Sequence, residues 1–257
     1  MDRTNVLLAG ASGVMGGKVV EAAKRTDDVS IVAGLDVYNN EVLGFPVRPT
    51  LEELQDTGYN TVLDFSKPQA LGAVLWAATA RNTPLVIATT GYSPEQNEEI
   101  EEMAKKLAIF KSTNFSMGVF KWVKAAAALA AAFKDNPEVD IEVIEAHHNR
   151  KADGPSGTAK TVAEMMLKAR GWDQIADRTP DKAKRQPGDI GMSFIRGGNV
   201  PGYHEVWFCS PTGEIKLSER EYGREGFAAG ALEACKFMQG KQPNGRIYTM
   251  DDLIASC

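Results

Sequence analysis

The chain is poor in cysteine, in histidine and in long apolar runs. Its three cysteines, Cys209, Cys235 and Cys257, stand far apart in 257 residues. They lack the close pairing of a zinc knuckle and the density of a disulfide framework, so they read as reduced structural thiols. No lysine- and arginine-rich tract runs along the sequence, and the formal net charge is −5. A phosphate backbone therefore finds no continuous basic stripe, which sets nucleic acid aside and favours small-molecule partners. Of the three histidines, His147 and His148 are adjacent, and no Cys or His recurs at ligand spacing. A metal site is set aside on that ground. The opening MDRTNVLLAGASG passes from polar residues into a short apolar run and a glycine turn; it is neither a signal peptide nor a membrane span, and a cytoplasmic protein is expected. Internal repeats, low-complexity linkers and heptads are also missing.

An apolar share of 43% suffices for one large domain or two modest ones. The first third alternates short apolar runs with helical stretches: NVLLA, a helix from about Gly17 to Thr26, SIVAGLD, TVLDFS, an alanine-rich helix to Asn82, PLVIATTG, and a charged helix through Lys106. Strand and helix in series predict a parallel sheet. NVLLAGASG, VLDFSKP, VIATTGYSP and AIFKSTNFS each break into small and polar residues at a strand's carboxyl end, so four turns are expected to face one crevice. After Asn114 come an alanine-rich helix from about Met117 to Lys134, a strand VDIEVIEAHH, and a helix from about Thr158 to Ala169. The alternating runs MSFIR, HEVWFC and EIKLSE predict antiparallel strands. From Gly226 a helical pattern returns and stops at Gly240 and Pro243, and the tail is expected to pack on the first domain.

VLLAGASGVMGGKV sets Gly10, Gly13 and Gly16 around Val14 and Met15, between a strand and a helix. Their jobs would be a tight turn, close approach to a pyrophosphate, and helix packing on the strand, with the helix amino terminus supplying free N–H groups. The spacing is GxxGxxG rather than GxGxxG, and a plain strand-to-helix turn would read the same way. Asp36, at the end of the second strand, adds an acceptor for an adenosine ribose. A carboxylate there repels a 2′-phosphate, and the following Val37-Tyr38-Asn39-Asn40 contains no cation. NADH is therefore expected over NADPH, unless a remote cation such as Lys18 or Arg48 intervenes.

The stretch EAHHNRKADGPSGTAK, residues 145–160, gathers two histidines, Lys151 and a Pro-Ser-Gly-Thr turn just where a helix begins. Side chains alternate along a strand, so His147 can face a crevice while His148 faces elsewhere. A histidine with an ordinary pKa near 6.5 can deliver a proton at neutral pH, and a lysine beside a helix amino terminus attracts carboxylates. Singly, each residue could be a structural histidine or a helix cap. Together they read as an acid with an anion site.

The segment IEVIEAHHNRKADGPSGTA resembles the signature of the 4-hydroxy-tetrahydrodipicolinate reductase family (dihydrodipicolinate reductase), and GASGVMG, TTGYS, TNFSMGV, RGGNVPGYHEVWF and GREGFAAGA extend the resemblance over nearly the whole chain. The resemblance implies an α/β fold: a Rossmann-type parallel-sheet dinucleotide-binding domain from 1–115 and 226–257, and a second α/β domain over 116–225, with a mixed or antiparallel sheet, for substrate binding and oligomerisation. It implies a homotetramer in diaminopimelate and lysine biosynthesis that uses NADH or NADPH to reduce a cyclic dicarboxylate. By position, His147 would be the general acid and Lys151 its charged companion. His148, Ser156, Gly157, Thr158 and Arg224 would hold substrate. Ala88, Thr90, Gly91, Asn114 and Phe115 would line the nicotinamide end of the cofactor. Two positions depart from the family pattern. Ala88 replaces a glycine, where a methyl could crowd the cofactor if the backbone needed positive φ. Phe120 replaces an asparagine and is expected to be helix core. A non-catalytic redox regulator would share the glycine turn and Asp36 but would not need His147 beside Lys151. An aldehyde-oxidising dehydrogenase would need an activated cysteine, which Cys209 in its strand pattern does not offer.

Overall fold

The computed structural model describes residues 3–38, 44–172, 175–177, 185–186 and 188–256. Asn39, Asn40 and Cys257 lie outside them. The chain forms two compact units, Met1–Ser116 with Arg224–Cys257, and Met117–Gly223.

In the first unit β1 (Thr4–Ala9), α1 (Val14–Ala23), β2 (Val29–Leu35), β3 (Val47–Arg48), β4 (Thr61–Asp64), α2 (Leu71–Ala80), β5 (Leu85–Ile87), α3 (Pro94–Met103) and β6 (Ile109–Lys111) follow in series. The strands form one parallel sheet in the order β3-β2-β1-β4-β5-β6. Such a sheet is covered on both faces, which is why its strands are apolar at consecutive positions. Leu7 and Ala9 pack with α2 and α3 residues such as Val74 and Ile100. Strand order reverses between β1 and β4, and a sheet of this kind leaves its ligand crevice at that switch. Helix α1 starts at Val14, three residues before the predicted Gly17, because Gly13 already caps its backbone. Charged α3 opens on a reciprocal capping box between Ser93 and Gln96.

The carboxyl-terminal segment belongs to this unit. Its α6 (Glu225–Met238) packs on α1, β4 and β5, Phe237 meets Phe110 edge to face at 6.2 Å, and Tyr248 bridges to Phe110 of β6 just before the short α7 (Met250–Ala255).

The second unit contains α4 (Met117–Ala132), β7 (Asp140–His147), α5 (Gly157–Arg170), β8 (Ile175–Asp177), β9 (Ile190–Arg196), β10 (Tyr203–Ser210) and β11 (Gly213–Arg220). Its sheet has the order β11-β10-β7-β9-β8. Strand β10 is antiparallel to β7 and β11, but β9, the MSFIR run, lies parallel to β7 and β8. The expectation of three antiparallel strands is corrected here. The connection from β7 to β9 contains a helix and so can return the chain to the same end of the sheet, whereas the short turn from β10 to β11 reverses it. Val119, Trp122, Val123, Ala126 and Ala130 form the inner stripe of α4. Phe120 falls off that helical stripe and is only partly buried, so it is not helix core as expected.

Candidate active site

In the first unit the glycine turn makes the tight turn and the close helix packing that its spacing suggested. Gly10 holds φ +78°, and a Cβ there would lie 2.4 Å from the Phe65 carbonyl oxygen. At Gly16 a Cβ would lie 2.3 Å from the Gly10 oxygen, so only glycine lets α1 sit this close to the turn. Helix α1 has no side-chain cap and no acid in its first turn. Its amino-terminal N–H groups and positive dipole end are thus available to an anion. Val14, the first helical residue, is 67% exposed. The Asp36 carboxylate accepts the Ser12 N–H at 2.9 Å and the Val37 N–H at 2.8 Å, which fixes it against the glycine turn with lone pairs left for hydroxyl donors. These features fit a dinucleotide: a pyrophosphate on the bare helix end and a ribose on Asp36. The two cations considered as exceptions have partners. Lys18 pairs with Glu21 and Glu225 at 3.0 and 3.1 Å, and Arg48 lies 3.8 Å from Glu53 and donates to the Val47 carbonyl.

Also in this unit, a cleft of about 410 Å³ is lined by Met15, Phe65, Ala88, Thr113, Phe115, Arg224 and Phe227. Residues from the turns after β4, β5 and β6 thereby meet the first turn of α1. Among the described residues the one non-glycine with positive φ is Asn82, so Ala88 does not sit in the strained conformation that would have made its methyl a difficulty. Gly91 does, at φ +82°, and Thr90 beside it is exposed. Asn114 accepts the Ser116 N–H through Oδ1 at 2.8 Å. Phe115 is buried against Phe65 and Phe110. Arg224 was expected at a substrate carboxylate, and within its own unit it lines this cleft.

One organiser of the cleft had no role in the sequence reading. Asp64, fully buried at the end of β4, accepts the Ser66 N–H at 2.9 Å, the Ser66 hydroxyl, and the Tyr92 hydroxyl at 2.8 Å. Its main-chain oxygen takes the Ala88 and Thr89 N–H groups. The side chain thus ties together the two loops that supply Phe65 and Ala88.

In the second unit His147 ends β7. Its Nδ1 lies 2.5 Å from Glu145 Oε2. A carboxylate only accepts, so Nδ1 carries a hydrogen and Nε2 is the atom left for chemistry. Glu145 is fully buried, and its two oxygens take four donors: His147 Nδ1, both terminal nitrogens of Arg196 at 2.9 and 2.7 Å, and the Ser156 N–H at 3.0 Å. Burial pushes the Glu145 carboxyl up, but the Arg196, His147 and Ser156 bonds outweigh it and hold the group below the usual carboxylate range. For His147 burial wins: desolvation pulls the imidazole below its ordinary value, the Glu145 bond and charge oppose this, and the His204 and Lys151 charges add to the fall. The pair is therefore a firm anion beside a neutral imidazole.

Ser156 caps α5, its hydroxyl accepting the Ala159 N–H at 3.3 Å, and Gly157 and Thr158 form the first turn. A helix amino terminus thus opens beside the Glu145 cluster. Lys151 Nζ pairs with Asp153 at 2.8 Å, so its ammonium is shared rather than aimed at His147 alone. His148 Nδ1 is buried without a hydrogen-bond partner. The loop therefore brings His147 and Ser156 together on Glu145, while Lys151 and His148 stand around them.

Glu145, Arg196 and His204 were not assigned roles from sequence. The first had a signal: it lies two residues before His147, on the same face of a strand. The other two arrive by sheet register, Arg196 opposite His147 and His204 opposite Glu145.

Comparison with known proteins covers both units. The family model for the amino-terminal part of dihydrodipicolinate reductase matches residues 4–115, and that for its carboxyl-terminal part matches residues 118–254. A 4-hydroxy-tetrahydrodipicolinate reductase of Clostridium novyi (strain NT) is 39% identical over 254 residues, covering 98% of this chain and 99% of that protein. One from Caldanaerobacter subterraneus subsp. tengcongensis is 37% identical over 254 residues, 97% of each. The fold is also that of a dihydrodipicolinate reductase from Paenisporosarcina sp. TG-14, solved with dipicolinate, with TM-score 0.77, 24% identity and coverage of 97% of this chain and 99% of that one. With both family models met in order and relatives aligned end to end, the chain belongs to the dihydrodipicolinate reductase family of nicotinamide-dependent oxidoreductases.

Proposed function

We propose that His147 is the general acid through which this chain carries out the family's reaction, the NAD(P)H-dependent reduction of 4-hydroxy-tetrahydrodipicolinate to tetrahydrodipicolinate in lysine and diaminopimelate biosynthesis. The observation that carries this reading is the 2.5 Å contact between His147 Nδ1 and a buried carboxylate already neutralised by Arg196. It fixes the ring, leaves Nε2 as the atom that takes up and delivers the proton, and stabilises the imidazolium when it forms. When bound, the reduced nicotinamide supplies the hydride. Gly10, Gly13, Val14, Met15, Gly16 and Asp36 would hold the dinucleotide, with Ala88, Thr90, Gly91, Asn114 and Phe115 lining its nicotinamide end. His148, Ser156, Gly157, Thr158 and Arg224 would hold substrate carboxylates, and Lys151 would add a fixed positive charge.

Burial keeps His147 neutral in the free protein. A dianion arriving beside it favours the charged form, so substrate binding and proton uptake are coupled. A planar ring dicarboxylate bound to the Paenisporosarcina relative supports this choice of ligand class. NADH is preferred over NADPH because Asp36 faces the ribose position while Lys18 and Arg48 are engaged by glutamates. The assembly is a homotetramer and the location cytoplasmic; among the described residues no helix is long and apolar enough to cross a membrane.

The test couples the purified protein to a synthase that makes the unstable substrate from pyruvate and aspartate semialdehyde, and follows loss of reduced-nicotinamide absorbance. His147→Gln should lower kcat by about 10²-fold or more with KM changed less. Turnover that survives this substitution removes His147 from the reaction. A higher kcat/KM with NADPH than with NADH reverses the cofactor assignment.

A further inference from the structure

The third histidine has no part in the chemistry above, yet it is the most buried of the three. His204, on β10, is 3% exposed. Its ring meets His147 edge to face at 5.2 Å and Trp122 of α4 at 5.9 Å. Nε2 lies 3.3 Å from the Ser156 hydroxyl. On the other side Nδ1 stands 3.6 Å from Oε2 of Glu219, its cross-strand neighbour on β11. Both of these last atoms are buried and neither has a hydrogen-bond partner.

We infer that His204 is a positioning residue for substrate capture: backed by Glu219, it sets the direction in which the Ser156 hydroxyl donates. This rests on the assignment of Ser156 and the α5 amino terminus to a substrate carboxylate. The argument is one of hydrogen inventory. Glu219 can only accept, so its approach to Nδ1 is attractive only if Nδ1 carries a hydrogen. Ser156 has one hydrogen to give, and its oxygen already accepts the Ala159 N–H. With Nε2 bare, Ser156 spends that hydrogen inward on His204. With a second ring hydrogen, taken from bulk water and balanced by Glu219, Nε2 donates to Ser156 and the hydroxyl turns outward to a carboxylate. An arriving anion selects the second arrangement, and the bond it gains is charge-assisted. Among the described residues, His147 meets the ring, Glu219 approaches its Nδ1, and Glu145 lies opposite it on β7. Glu145 is already held by four donors, which leaves Glu219 as the counterion for His204.

The experiment is calorimetric titration of dipicolinate into wild type, His204→Leu, His204→Gln, Ser156→Ala and the Ser156→Ala/His204→Leu double variant, with NADH titrated into each as a second readout. His204→Leu should weaken dipicolinate about 10-fold or more, the loss expected for one hydrogen bond to a charged group. His204→Gln, which keeps a donor near the Nε2 position, should recover most of it, and NADH affinity should stay at the wild-type value. In the Ser156→Ala background the leucine substitution should cost little further. Should His204→Leu fail to fold, Glu219→Gln carries the test, since it leaves the ring in place and withdraws only the counterion; dipicolinate should again bind several-fold more weakly. Wild-type affinity in His204→Leu or Glu219→Gln, or an undiminished loss when Ser156 is already alanine, overturns the inference. Failure of the wild-type protein itself to bind dipicolinate overturns the parent assignment instead.

Discussion

Replacing Glu145 by glutamine changes one oxygen to an amide nitrogen at the point where four donors converge. The carboxylate accepts from His147, twice from Arg196 and from Ser156. The amide end of glutamine accepts nothing, so whichever way it turns, two of the four donors lose their acceptor, and Arg196 loses a buried counterion. Breaking a buried pair of this kind costs about 3–5 kcal/mol of stability. If the amide replaces Oε2, the bond lost is the one to Nδ1. A hydrogen bond to a charged group is worth about 1.5–3 kcal/mol, and if that full amount is withdrawn from the imidazolium in the transition state, kcat falls about 10- to 150-fold. Glu145 also opposes the burial that depresses His147, so in Glu145→Gln the activity should begin to fall at lower pH than in wild type. Coupled turnover across pH, read beside a denaturant midpoint, separates the two effects. A folded variant with kcat within about threefold of wild type and an unmoved pH profile would refute the proposed positioning of His147.

Stability should fall on acidification in two stages. The His147 pKa lies below its ordinary 6.5 in the folded chain and that of Glu145 below its ordinary 4.5. In both cases the unfolded chain takes up its proton first, so the contribution is complete above the ordinary value and is lost as pH falls through the window beneath it: below about 6.5 for the histidine and below about 4.5 for the glutamate. Denaturant midpoints that rise between pH 7 and 5 would contradict this. Dipicolinate binding measured near pH 7 in two buffers of different ionisation enthalpy should reveal net proton uptake; a buffer-independent heat would refute the coupling both to His147 and to His204. The neighbouring glycines of α1 should part company. Gly16→Ala drives a methyl into the Gly10 and Ala11 carbonyls and should destabilise by about 1–3 kcal/mol while weakening NADH. Gly17→Ala meets open space and should stabilise by about 0.5–1 kcal/mol. Equal midpoints for the two variants would count against the close turn-to-helix packing.

Local information was enough for much of this protein. Short apolar runs marked the strands of the first unit, alternation marked strands of the second, and longer helical stretches marked the helices, because burial leaves its imprint on neighbouring residues. GASGVMG, Asp36 and EAHHNRKADGPSGTA marked the candidate cofactor turn and the proposed acid because each is a short segment whose chemistry is complete in itself. Pairing between strands was not legible in that way. MSFIR alternates just as HEVWFC does, and only the crossover through α5 makes β9 parallel to β7. Phe120 looked like core because helix phase relative to the sheet is not written in one residue.

The same limit governs the site. From the sequence alone came the glycine turn, the proposed proton donor and the capping turn of α5, since a few neighbouring residues set each of them. Tertiary structure alone decided what surrounds that donor. Arg196 and His204 lie 49 and 57 positions beyond His147 in the numbering, and they reach the Glu145 cluster through the register of β9 and β10 against β7. Register is fixed by the packing of whole sheet faces, so a buried charge network assembled across three strands exists only once those faces have closed.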